Sequence, residues 1–460
     1  MTSDANASAI NAKPKLGRMD PYLFGVTLCL IAFGIVSVFD ASYAAADQAG
    51  LSPFKYVKLQ AGWAVCGLGV MFWLRRVSYL RFQPFANTGI LITYALLVAV
   101  FIPHIGIHAK GAHRWIGYGG MRVQPSEIAK ITVMLYLANY AAARPNRIKN
   151  FKNGLLRPLL MMGGIVMLVA AEPDLGTAMV IAAASMVVLF LSGVRWQHML
   201  AVIVGACLVV TMLSFHGNYR RERLLGYLHP RAHRMGSTYQ VWHSMVAIGT
   251  GGISGKGLGE GIEKMYIPEP RTDFIFAVIA EEWGLIGTLG LLVAFSVITV
   301  RGYHIAYKAT DPFAGLLAAG ITSVIAVQTG INIAVATGTI PNTGVPLPFV
   351  SYGGSSLVFM LVGVSILLNI SRHQETVTLP LVDSQYADPQ FNSRHQSHWD
   401  RRTKLTERDF LRTYNVAVAK GNIDFTGLPR RLDQLTRTAA SKRNTEEQPN
   451  TFARDWTNHE

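Results

Sequence analysis

The chain has 460 residues, of which 50% are hydrophobic and only 15% are charged. This composition excludes an ordinary soluble domain, because many apolar runs are long enough to cross about 30 Å of hydrocarbon. The net charge of +15 is spread over short loops, one long loop and the tail, so we expect anionic lipid as its partner and no nucleic acid. The three cysteines lie inside apolar runs, which argues against a disulfide framework.

Ten apolar runs follow a polar N-terminal segment, residues 1–20. They predict an all-α, polytopic membrane protein whose transmembrane domain covers residues 21–372. Hydropathy then collapses, and the composition of residues 373–460 predicts a largely disordered tail without a catalytic domain. The predicted spans are 22–44, 56–74, 84–103, 125–143, 155–172, 174–193, 198–215, 274–300, 313–338 and 353–371.

Basic residues in the short connections predict the orientation of the chain. Arg75 follows the second run, Arg144 the fourth and Arg301 the eighth, so these connections are expected to be cytoplasmic. Both termini are then cytoplasmic, and the long connection at 216–273 faces outward. That loop is basic as well, which is tolerated because long loops are translocated largely regardless of charge.

The most informative stretch is Gly249–Gly284, where a glycine-rich, charged loop passes directly into an apolar helix. Asp273 lies at this junction of water and hydrocarbon, with Glu269 and Arg271 just before it. Partial desolvation would raise the pKa of Asp273, which is how a general base is made. Lys256 belongs to the same loop, whose basic residues indicate either a solvated surface or a surface that faces an anionic substrate.

Two further clusters lie near the predicted outer face. Glu127 and Lys130 are three residues apart and share a helix face, as a structural ion pair or as part of a wet cavity that binds substrate. Arg114 lies in the loop before that helix. In the segment Ala171–Thr177, AEPDLGT, we favour helix capping by Asp174 over a chemical role.

The segment Gly338–Ser356, GTIPNTGVPLPFVSYGGSS, contains three prolines and several glycines and cannot form a continuous helix. Irregular backbone at membrane depth is tolerated where it lines a cavity or is buried in protein. We favour a cavity wall beside Asp273, with Ser351, Gly353 and Ser355 as binding residues, over a rigid structural turn. No metal-ligand cluster is evident in the sequence.

Four motifs between residues 20 and 372 resemble those of the SEDS family of bacterial cell-wall polymerases, the FtsW, RodA and SpoVE group. The resemblance implies a ten-helix peptidoglycan glycosyltransferase that polymerises lipid II, the undecaprenyl-pyrophosphate-linked disaccharide pentapeptide. It would act at the outer face of the bacterial cytoplasmic membrane during division or elongation. The motifs are HRWIGYGGMRVQPSEIAK, EPDLGT, TYQVWHSMVAIGTGGISGKGLGEGIEKMYIPEPRTDFIFAVIAEEWGLIG and VPLPFVSYGGSS.

The resemblance also implies roles for individual residues. The family's essential aspartate, in TDFIF, corresponds to Asp273, which would accept the proton of the acceptor 4-hydroxyl while lipid pyrophosphate leaves the donor. The leaving group needs cations, for which Arg114, Lys130, Lys256 and Arg271 are the candidates. No cofactor is evident, although a divalent cation is compatible with this chemistry. The implied partners are a class B penicillin-binding protein and other membrane proteins of the division or elongation machinery.

The segments EKMYIPEPRTDF and YLHPRAHRMGSTYQ resemble FtsW more than RodA. Thr343 stands where many FtsW-like members have lysine, as on the RodA side, and Arg271 replaces a common histidine. Two other functions remain open. A lipid II flippase would use the same anionic groove and broken helices but would need no outer general base. A non-catalytic scaffold of the divisome or elongasome would depend on the long tail instead.

Overall fold

The structure is a computed structural model that describes residues 17–48, 52, 54–109, 112–118, 121–215 and 238–373. The chain divides into two units, Met1–Val377 and Thr378–Glu460, and every described residue belongs to the first. The predictions for the first sixteen residues, for residues 216–237 of the long loop and for the tail therefore lie outside the described residues.

Helices form most of the described chain, and a small three-stranded antiparallel sheet lies in the connection before the fourth of them. The strands are β1 Gly106–Ala109, β2 Ala112–Tyr118 and β3 Met121–Val123. The helices are α1 Pro21–Gln48, α2 Phe54–Leu74, α3 Ala86–Ala99, α4 Pro125–Ala143, α5 Leu156–Ala171, α6 Leu175–Leu191, α7 Trp196–Phe215, α8 Tyr239–Gly251, α9 Ile275–Lys308, α10 Pro312–Ala336 and α11 Gly354–Arg372.

Each of the ten predicted spans coincides with one described helix. Among the described helices, α8 alone has no counterpart among the apolar runs. Six of the described helices are long and apolar enough to cross a membrane, and α3, α6 and the first part of α7 are shorter apolar helices. The prediction of a mostly helical, polytopic membrane protein is confirmed. The sheet and α8 were not predicted, because short strands and an amphipathic helix give only a weak hydropathy signal.

Helix α10 lies at the centre of the bundle and packs against α4, α6 and α9. Small residues allow these helices to approach closely, as is usual between membrane helices. A Cβ added at Gly320 of α10 would lie 3.0 Å from the sulfur of Met134 on α4 and 3.0 Å from a methyl group of Val188 on α6. Polar residues on α10 are therefore held at fixed positions inside the protein.

Helix α9 is broken at Gly284, whose backbone (φ 61°, ψ −157°) is not helical. The glycine-rich loop that follows α8 docks at this break. The amide of Leu285 donates to the carbonyl of Gly252 (2.9 Å), and the amide of Lys256 donates to the carbonyl of Glu281 (3.0 Å). These bonds satisfy backbone groups that a helix break leaves without intrahelical partners.

Buried carboxylates hold the same loop against α1 and α9. The ammonium of Lys264 lies 2.8 Å from Asp40 on α1 and 2.6 Å from Glu282 on α9, and the ammonium of Lys256 lies 2.7 Å from Glu281. Burial alone would lower the pKa of Lys264, but its bonds to Asp40 and Glu282 raise it above the usual value. Both cations that meet Glu281 and Glu282 therefore come from the loop after α8 and not from a neighbouring helix.

The break at Gly284 generates a stability prediction. In Gly284→Ala the new methyl group would lie 2.3 Å from the amide nitrogen of Gly255 and 2.6 Å from the carbonyl of Ile253, on a backbone with positive φ. We expect this variant to lose about 2–4 kcal/mol of unfolding free energy. Gly290→Ala is the matched control, because nothing lies within 4 Å of its Cβ position and alanine favours a helix. Thermal unfolding in detergent would contradict the prediction if both variants melted together.

Candidate active site

Asp273 lies directly before α9, one residue ahead of Phe274, which caps the helix, and its side chain is partly buried. The proline-rich segment that the sequence predicted beside Asp273 lies there in the structure. A Cβ added at Gly344, which has φ of 72°, would lie 3.5 Å from the Oδ2 atom of Asp273. The proline-rich segment Gly338–Ser356 therefore packs beside the carboxylate, and the absence of a side chain at Gly344 leaves room next to it.

Three successive backbone carbonyls, those of residues 271–273, each accept a hydrogen bond from a distant part of the chain. Two donors belong to the proline-rich segment and one belongs to α10. The short stretch before α9 is thus fixed at every residue. The bonds run from the amide of Tyr352 to Arg271 (2.8 Å), from the hydroxyl of Ser351 to Thr272 (2.6 Å) and from the side-chain amide of Asn332 to Asp273 (2.8 Å).

Ser351, Gly353 and Ser355 lie on this wall, but their contacts differ. The hydroxyl of Ser351 is buried and also accepts a hydrogen bond from the amide of Leu347 (2.8 Å), so it is fully used within the protein. Gly353 donates its amide to the side chain of Gln60 (3.4 Å). Ser355 lies partly buried in the first turn of α11. A role for these three residues in substrate binding stays a prediction.

Arg271 is fixed beside Asp273 by a cation–π contact and an ion pair. Its guanidinium lies 3.9 Å from the ring centroid of Tyr56, and one terminal nitrogen lies 3.1 Å from a carboxylate oxygen of Glu269. The Nε atom is buried and has no hydrogen-bond partner among the described residues. The guanidinium of this arginine is thus held by Tyr56 and Glu269, two residues before Asp273 in the chain.

Glu127 and Lys130 form the predicted pair on α4, with 2.7 Å between the charged groups, and both are almost completely buried. Lys130 also donates to the side-chain oxygen of Gln328 on α10 (2.7 Å), and Gln328 donates to the carbonyl of Pro346 (2.9 Å). The cavity beside the pair has a volume of only about 10 Å³, which is room for a single water molecule. This geometry favours the structural alternative for Glu127 and Lys130.

Arg114, on β2, reaches the turn between α5 and α6. Its guanidinium donates to the backbone carbonyls of Glu172 (3.0 Å) and Pro173. Asp174 caps α6 by accepting a hydrogen bond from the amide of Thr177 (3.2 Å), so the predicted capping role is confirmed. Arg114 is thus occupied in joining the sheet to this turn.

Lys256 lies far from Asp273 along α9. It is paired with Glu281, eight residues after Asp273, and eight residues correspond to about 12 Å of helix. The structure therefore does not bring Lys256 next to Asp273. In the described part of the chain, no group of three or more His, Cys, Asp or Glu side chains forms a metal site.

Asn332, Gln328 and Tyr56 were not predicted as site residues. Asn332 and Gln328 are fully buried amides inside an apolar run. Polar residues within a membrane helix usually have a specific partner, so their position in the sequence was a usable signal. Tyr56 gave no such signal, because an aromatic residue near the end of a span is common.

Residues 21–376 match the FtsW, RodA and SpoVE family, which is described as a family of cell cycle proteins. The chain belongs to this family. It is 38% identical to stage V sporulation protein E of Bacillus subtilis over 77% of this chain and 97% of that protein. It is also 38% identical to a probable peptidoglycan glycosyltransferase FtsW of Geobacter sulfurreducens, over 79% and 97% of the two chains.

Solved structures of the family share the fold. The rod shape determining protein RodA of Thermus thermophilus matches with a TM-score of 0.59 and 27% identity, over 78% of this chain and 98% of that one. A chain of a peptidoglycan synthase complex, described as coordinating polymerization and crosslinking, matches with a TM-score of 0.65 and 29% identity over the same shares. The family resemblance seen in the motifs is confirmed.

Glu172, in the turn between α5 and α6, has a fully buried side chain, and its carboxyl oxygens have no hydrogen-bond partners among the described residues. Burial raises its pKa from 4.5 to about 8, the charge of Asp174 adds to this, and Arg114 opposes it. The unfolded chain therefore releases a proton that the folded protein retains between these pH values, so Glu172 lowers stability as the pH rises through that window.

We expect Glu172→Gln to remove this pH-dependent loss. Its advantage over the wild type should be small near pH 4.5 and should reach up to about 4 kcal/mol near pH 8. Thermal unfolding at several pH values measures the difference. Glu260→Gln, which changes an exposed loop carboxylate, is the control and should show no such trend. A constant difference between Glu172→Gln and the wild type across the range would contradict the prediction.

Proposed function

We propose that this chain polymerises lipid II into glycan strands, with Asp273 as the general base. Relatives that cover most of the chain are named as peptidoglycan glycosyltransferases, and the chain is an enzyme of this class. The observation that carries the residue assignment is the fixed backbone of residues 271–273. It holds one carboxylate at the start of α9, beside a glycine that leaves room for substrate.

In this mechanism Asp273 accepts the proton of the acceptor's 4-hydroxyl as that oxygen attacks the anomeric carbon of the donor. The bond between that carbon and the lipid pyrophosphate breaks on the opposite side, which inverts the configuration. Arg271 supports this step because it is a cation two residues before Asp273 that Tyr56 and Glu269 hold in place. We assign it to the leaving pyrophosphate.

The proposed location of the reaction is the outer face of the bacterial cytoplasmic membrane, with both termini in the cytoplasm. Support comes from Arg75 and Arg144, which directly follow α2 and α4, and from Arg301, which lies near the C-terminal end of α9 rather than in the connection after it. Glycan made there requires peptide cross-linking, so we propose a class B penicillin-binding protein as partner. A structural neighbour from a complex that coordinates polymerization and crosslinking supports this assignment.

We favour a role in division over one in elongation. The motifs around Asp273 resemble FtsW, and several similar relatives are named FtsW. One relative is named for sporulation, so proteins with this fold also act in a third process besides division and elongation. Complementation of strains depleted of each family member would decide between these roles.

Polymerisation of labelled lipid II by the purified protein, with and without its cognate penicillin-binding protein, tests the proposal. We expect glycan from the wild type and at least a 100-fold lower rate from Asp273→Asn and Asp273→Ala. Glu260→Gln changes an exposed carboxylate of the same loop and should keep the wild-type rate. Thermal unfolding confirms that all variants are folded.

The rival functions predict different results. A flippase would move labelled lipid II across proteoliposome membranes, and that movement would not depend on Asp273. A scaffold would make no glycan even with its partner, and cells would tolerate Asp273→Asn but not truncation after Ser371. Full polymerisation by folded Asp273 variants would refute the base assignment.

A further inference from the structure

Asn332 is a fully buried polar residue in the apolar interior of α10. Its side-chain nitrogen donates two hydrogen bonds, one to the backbone carbonyl of Asp273 and one to the backbone carbonyl of Val345, both at 2.8 Å. A buried amide is unfavourable unless its hydrogen bonds are made. The two carbonyls therefore satisfy the donors of Asn332, whereas its side-chain oxygen is buried without a hydrogen-bond partner among the described residues.

Both carbonyls belong to irregular backbone. Asp273 precedes the cap of α9, so its carbonyl lies outside the hydrogen-bond ladder of that helix. Val345 is almost completely buried and precedes Pro346, which has no amide to donate. One side chain thus links the residue that carries the carboxylate to the wall that faces it. The link also includes Gly344, the neighbour of Val345 that lies beside the Asp273 carboxylate.

The preceding turn of α10 carries a second buried side-chain amide, which does not contact Asp273. Gln328 is equally buried and donates to the carbonyl of Pro346 (2.9 Å), but its other partner is Lys130 rather than Asp273. Gln328 therefore anchors the proline-rich segment to the buried ion pair on α4. Asn332 is the amide of α10 that anchors this segment to Asp273.

We propose that Asn332 is a positioning residue for Asp273, with Ser351 as a second anchor on the preceding carbonyl. This inference rests on the role of Asp273 proposed above. Neither side chain contacts the reacting atoms. Asn332 fixes the main chain of Asp273 and the wall beside it, so that the carboxylate meets the acceptor hydroxyl in a constant geometry. A misplacement of about 1 Å can reduce a rate on the order of 100-fold.

The test compares three variants in the lipid II polymerisation assay. Asn332→Leu keeps the approximate volume and removes the donor, and Ser351→Ala removes the hydroxyl that bonds to Thr272. We expect Asn332→Leu to lower kcat at least tenfold and Ser351→Ala to lower it several-fold, with KM for lipid II unchanged within twofold. Thr329→Val is the matched control, because Thr329 is also buried in α10 but its hydroxyl bonds only to its own helix. It should keep the wild-type kcat.

The split between kcat and KM separates positioning from a general loss of structure, and thermal unfolding measures the folded fraction of each variant. A wild-type kcat in folded Asn332→Leu overturns the proposal, and so does a raised KM at unchanged kcat, which would indicate substrate contact. If Asn332→Leu does not fold, Ser351→Ala decides the question by the same criteria, because it changes a single hydroxyl.

The outcome for Asn332 is distinguishable from the outcome for the general base. If Asp273→Asn polymerises lipid II at the wild-type rate, the proposed role of Asp273 fails whatever the Asn332 variants do. If Asp273→Asn is inactive while folded Asn332→Leu and Ser351→Ala both keep the wild-type kcat, only the positioning role fails. A reduced kcat in both variants, with an inactive Asp273→Asn, supports both.

Discussion

Every buried backbone carbonyl and amide must have a hydrogen-bond partner, and this constraint governs the arrangement around Asp273. In the irregular stretch before α9 and at the break of α9, backbone groups are bonded by side chains or by distant parts of the chain. The carbonyls of residues 271–273 receive three such donors. The break of α9 at Gly284 is matched by the loop after α8. The same bonds that make irregular backbone tolerable also give the carboxylate a fixed place.

Charged side chains, like buried backbone groups, mostly have partners within the protein. Most cations of the predicted site are held by partners within the protein, since Lys130 pairs with Glu127, Lys256 pairs with Glu281, and Arg114 binds carbonyls. These contacts are favourable because an unpaired charge at low dielectric is unstable. Arg271 differs, because it combines a partly satisfied guanidinium with a position two residues from Asp273. This difference separates Arg271 from Lys130, Lys256 and Arg114, whose charged groups are used within the fold.

The family fold and the geometry around Asp273 provide different kinds of functional information. Similarity over 77–79% of the chain to relatives from sporulation and division establishes the scaffold and the enzyme class. The geometry around Asp273 adds which main-chain and side-chain groups hold this residue in place. Because Asn332 and Gln328 occupy successive turns of one central helix, α10 connects Asp273, the proline-rich wall and the buried pair on α4 to one another.

The sequence by itself determined the ten apolar helices and the junction at Asp273, because hydrophobic runs and charged boundaries are local properties of the chain. It also located the proline-rich wall and the cap at Asp174, which depend on residue types with strong local preferences. Only the tertiary structure decided which carboxylate each lysine meets, since Lys264 and Asp40 are far apart in the chain. It likewise decided that the buried amide of Asn332 meets the carbonyl of Asp273. Such pairings depend on how helices pack, and packing is a property of the whole bundle.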